Sequence, residues 1–79
     1  MIVADQMRAA RALLRWSSRE LAEKSGLSLP TVQRMEAATG VPSAMVKSIV
    51  AIKETLEAAG IEFIDSNSGG AGVRFKEPQ

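Results

Sequence analysis

Apolar residues between Asp5 and Trp16 fall at Met7, Ala10, Leu13 and Leu14, with Arg8, Arg11 and Arg15 between them. That is the spacing of a helix with one apolar stripe. Ser17 stands three residues before Glu20, the S-x-x-E box in which each side chain satisfies a backbone N–H near the other. A second helix is therefore expected from about Ser18, ending at Gly26, where glycine readily takes the left-handed conformation of a helix C-terminus. Pro30 follows four residues later. One continuous helix would tolerate neither residue well, since glycine costs about 1 kcal/mol and interior proline about 3 kcal/mol relative to alanine. Two helices joined by a tight turn accommodate both: Ser28 caps a third helix, and Pro30 falls in its first turn, where an N–H has no intrahelical acceptor anyway. This third helix runs to about Glu36 or Ala38.

Thr39-Gly40-Val41-Pro42 reads as a loop. Ser43 is the expected cap of a fourth and longest helix, with Met45, Val46, Ile49, Val50, Ile52 and Leu56 forming an apolar face wide enough for two partner surfaces. Gly60 stops it. The period then changes from helical to alternating in "IEFI" and "VRF", with "DSNSGGAG" between them. These are two short strands, paired as a hairpin or across a dimer. A lone hairpin is barely stable in water, so it must lean on the helices or on a second copy.

A chain of 79 residues is one small domain with a modest core. It has no cysteine or histidine, hence neither disulfide nor zinc site to add stability, which points to dimerisation. The formal charge is only +1, but the excess of Arg and Lys lies before residue 37. A polyanion would meet that half. The first sixteen residues carry Asp5, Arg8 and Arg11, so no signal peptide is expected. No apolar run approaches the ~20 residues of a membrane span. These features are read as those of a cytoplasmic protein with no membrane partner. Without histidine, cysteine or tyrosine, the usual general bases and the thiol nucleophile are missing, and the carboxylates are scattered. No enzyme, cofactor or metal site is expected. "SGGAG" lacks the G-K-[ST] ending of a phosphate loop and opens no helix.

Around Gly26, Leu21 and Ala22 precede while Leu27, Val32 and Met35 follow, as two steeply crossed helices require, with Ala22 small at the closest approach. The stretch "RALLRWSSRELAEKSGLSLPTVQRMEAATGVPS" resembles the Cro/repressor-type (XRE) helix-turn-helix family, through the pattern L-A-x-x-x-G-x-S-x-x-T-[IV]-x-[RK]-[LM]-E. The likeness covers roughly residues 5–58, with Ser25 as a departure at a position often apolar in the family. It implies double-stranded DNA as the partner, with the third helix in the major groove. It implies that Ser28, Leu29, Pro30, Thr31, Gln33 and Arg34 face DNA, with Arg34 as the base reader because its fork matches guanine O6 and N7. Leu29 and Pro30 offer only apolar contact, so part of the specificity would come from DNA shape. Ser17 and Ser18, at the N-terminus of the second helix, could receive a phosphate, with Arg19 and Lys24 adding charge. The family also implies a structural ion pair between Arg11 and Glu36. Trp16 and Met35 read as core, and Arg8 and Arg15 as a solvated helix face.

The chain is thus expected to be mainly α. A four-helix, repressor-like helix-turn-helix domain occupies residues 1–60 (motif 18–36), and a β tail over 61–79 forms a hairpin or dimer-pairing strands. The expected function is sequence-specific DNA binding as a homodimeric transcriptional regulator on a palindromic operator. Two alternatives stand beside it: an antitoxin-like or adaptor module gripping another protein, and a tail acting as a wing with Arg74 in the minor groove.

Overall fold

The computed structural model describes residues 2–42, 44–65 and 69–77. Four helices, α1 (Ala4–Leu14), α2 (Ser18–Ser25), α3 (Leu29–Glu36) and α4 (Val46–Ala58), precede two strands, β1 (Ile61–Ile64) and β2 (Gly72–Phe75). The strands pair antiparallel with each other, Ile61 opposite Phe75 and Ile64 opposite Gly72. Of the two arrangements open to the tail, the structure has the hairpin within one chain.

α1 ends two residues earlier than its pattern suggests. Arg15 adopts φ +59° and ψ +35°, and the N–H groups of Arg15 and Trp16 return to Ala12 O and Arg11 O at 3.0 Å each. This is a left-handed helix stop, built on an arginine where glycine is usual. The buried residues of α1 are Ala4, Gln6, Met7 and Ala10, with Leu14 packed at the edge. Leu13 is exposed, which corrects its place in the predicted apolar face.

α2 and α3 follow the expected punctuation. Ser17 Oγ accepts from Glu20 N at 3.0 Å while Ser17 N donates to Glu20 Oε1 at 2.9 Å. Gly26, at φ +77°, closes α2. Ser28 caps α3 and Pro30 lies in its first turn. Ser43, the expected cap of α4, lies outside the described residues. The helix itself starts at Val46, with Met45 at the cap position and no side-chain cap bond. Only one side of its predicted apolar face is covered: Ile49, Ile52 and Leu56 are buried, whereas Met45, Val46 and Val50 are exposed.

The core gathers Met7, Leu21, Val32, Met35, Ile52, Leu56 and Ile61, all essentially inaccessible, so every helix and β1 contribute. Phe63, Val73 and Phe75 pack against it from the hairpin. Gln6 makes the polar connection. Its Oε1 accepts from Val3 N at 2.8 Å, satisfying a free donor at the start of α1. Its Nε2 donates to Ile64 O at 3.1 Å and Gly72 O at 3.0 Å. One amide therefore caps a helix and holds both strands.

Candidate nucleic-acid interface

α3 buries Val32, Met35 and Glu36 and turns Pro30, Gln33, Arg34 and Ala37 to solvent. That i, i+3, i+4, i+7 spacing makes a single exposed row along the helix. At its N-terminal end Ser28 Oγ donates to Thr31 Oγ1 at 2.8 Å and accepts from Thr31 N at 3.3 Å. Two hydroxyls expected to face DNA are therefore already fixed relative to each other. Leu29 is half-buried and packs on the core, so its side chain anchors the helix more than it presents a surface.

Glu36, at the end of α3, organises the orientation of the motif. Its Oε2 accepts from Arg11 Nε at 2.8 Å, with the two side chains 8% and 26% exposed respectively. Its Oε1 accepts from Ser18 Oγ at 2.8 Å, and Arg11 Nη1 also donates to Trp16 O at 3.0 Å. The carboxylate thus joins α1, the start of α2 and the end of α3. A buried charge with both oxygens engaged avoids the desolvation penalty of an unpaired one.

Arg8 extends the same arrangement, donating to the main-chain carbonyl of Glu36 and to the carboxylate of Asp5. Reading Arg8 as a solvated face is therefore corrected. Its signal was its position one turn before Arg11, on the side of α1 that faces α3. Gln6 and the left-handed Arg15 were missed as well. The bond of Gln6 to Val3 N is local, but the two carbonyls it ties lie 58 and 66 residues away and leave no local sequence mark.

At the start of α2, Ser17 is exposed and Ser18 half-buried. The hydroxyl of Ser18 is committed to Glu36 and that of Ser17 to Glu20 N. What this end offers an anion is its first backbone N–H groups, which have no intrahelical acceptor, together with the helix dipole. Arg19 is exposed beside them. Lys24, by contrast, lies over the ring of Trp16, 5.0 Å from its centroid, near Glu54 and Thr55 of α4. Arg74, the expected wing contact, donates to Glu62 Oε2 at 2.7 Å across the hairpin.

Among the described residues no group of acidic side chains is arranged to hold a metal ion, and no helix is long and apolar enough to cross a membrane. Two short helices packed on each other and joined by the turn at Gly26, with a solvent-facing row on the second, define a helix-turn-helix domain. A helix-turn-helix family model matches residues 7–46, and the chain belongs to that family, the Cro/repressor (XRE) type. It is a DNA-binding transcription regulator of a family that is not typically enzymatic. No curated protein matches the chain.

Proposed function

We propose that this chain is a sequence-specific regulator that binds a palindromic operator as a homodimer and acts in the cytoplasm. α3 lies in the major groove, and Arg34 donates in bidentate fashion to a guanine. Gln33 pairs with adenine or reaches a phosphate. Pro30 and the edge of Leu29 meet a thymine methyl, and Ser28 and Thr31 reach the backbone near the helix start. The N-terminus of α2, at Ser17 and Ser18, receives a phosphate through its N–H groups, and Arg19 adds charge.

The observation that carries this reading is the exposed row Pro30, Gln33, Arg34 on a helix whose opposite side is locked by Glu36. Such a helix presents side chains in a fixed frame, as reading base edges requires. Selection of bound fragments from random duplex DNA, at stated salt, tests it. The expected result is an enriched inverted repeat, bound with an affinity that falls steeply as salt rises. Retention of random DNA with no enriched sequence would overturn it.

The antitoxin-like or adaptor reading draws on the uncovered half of the apolar face of α4. A stable unlike partner in a pull-down, with no retardation of DNA at low salt, would favour it.

A further inference from the structure

Five large apolar side chains are exposed among the described residues, and four of them fall within ten positions: Val41, Met45, Val46 and Val50, at 51, 61, 65 and 43%. The core side of α4 is Ile49, Ile52 and Leu56. Val46 and Val50, one turn apart, therefore lie on the side turned away from the core, where a helix normally carries polar residues. Lys53 and Glu57 continue that row towards the C-terminus at the same 3–4 spacing. Lys47 and Glu54 lie two turns apart along one flank of it. Both are exposed, and neither has an ion-pair partner among the described residues.

We propose that this face of α4 is where a second copy of the chain docks, antiparallel, about a two-fold axis between Val50 and Ala51. This inference rests on the homodimer reading above and names its surface. The pattern is self-complementary in that arrangement alone. Val50 meets its own counterpart near the axis. Lys47 of each copy comes beside Glu54 of the partner subunit, so one sequence relation gives two ion pairs. Val46, with Met45 and Val41 beyond it, covers the last turns of the other α4, where the aliphatic stems of Lys53 and Glu57 lie. A parallel pairing would instead place Lys47 and Glu54 of the two copies on opposite sides of the seam, without these pairs. Because α4 packs against α1 and α2, which in turn hold α3, the contact also sets the relation between the two recognition helices.

A standard protein interface buries about 800 Å² per partner. Four partly exposed side chains make a smaller contact than that, so the pairing is concentration-dependent in solution and is completed on DNA.

Sedimentation equilibrium of the full chain, alone and with duplexes carrying one or two half-sites, tests the inference, with circular dichroism as the check on folding. Val50→Asp and Lys47→Glu should each weaken self-association by about tenfold or more, and Lys47→Glu combined with Glu54→Lys should recover most of the loss. Each change is at an exposed position, so the helical spectrum should be retained. An unchanged dimer in Val50→Asp, or a double charge swap no better than Lys47→Glu, would overturn this surface while leaving the homodimer intact. A wild-type chain that remains monomeric at high concentration and on the two-site duplex would overturn the homodimer with it. Binding to a single half-site would then still stand as DNA recognition.

Discussion

Glu36 ties three helices together: one carboxylate receives Arg11 and Ser18 while its own backbone carbonyl receives Arg8. Glu36→Ala leaves the Arg11 guanidinium three-quarters covered and without its counter-charge. We expect a loss of about 3 kcal/mol in denaturant unfolding, at the low end for a broken buried pair because Arg11 retains some water. Gln6 supports a separate prediction. Gln6→Leu keeps the bulk but removes three hydrogen bonds, so about 1–3 kcal/mol should be lost. Amide exchange should quicken first in β1 and β2. The Arg11–Glu36 pair was anticipated from the family pattern, which carries both residues 25 positions apart. The tie from Gln6 to the strands could not be, since it depends on which carbonyls tertiary folding brings to the amide.

Element by element, the chain's punctuation was readable and its burial less so. Ser17, Gly26, Ser28 and Pro30 mark the ends of α2 and α3 because capping is local chemistry, decided within four residues. The end of α1 was misplaced because Arg15 takes a left-handed conformation that arginine seldom adopts. Arg15→Gly should remove that cost and raise stability by about 1 kcal/mol, read from the unfolding midpoint. Gly26→Ala should do the reverse by a similar amount. A Cβ there would meet nothing within 4 Å, so the penalty is conformational alone. The apolar face of α4 was legible as a pattern. Which half of it the domain would cover was not, since periodicity gives the width of a face and says nothing of how many neighbours there are to fill it.

As a whole molecule the domain measures 31 × 25 × 18 Å. Successive faces of the major groove lie about 34–36 Å apart, so one chain reaches one half-site and a palindrome requires two. The hairpin packs on α1 and α4 and is tied by Gln6, with Arg74 paired to Glu62. The most direct test of α3 as a base-reading helix is the affinity of wild type and Arg34→Ala for the selected duplex and for a scrambled one, across a salt series. Arg34→Ala should lose about 1–3 kcal/mol on the selected duplex and little on the scrambled one, and should relax the preference at one base pair. Equal losses on both duplexes would make Arg34 a phosphate contact, and no loss on either would contradict the placement of α3 in the groove.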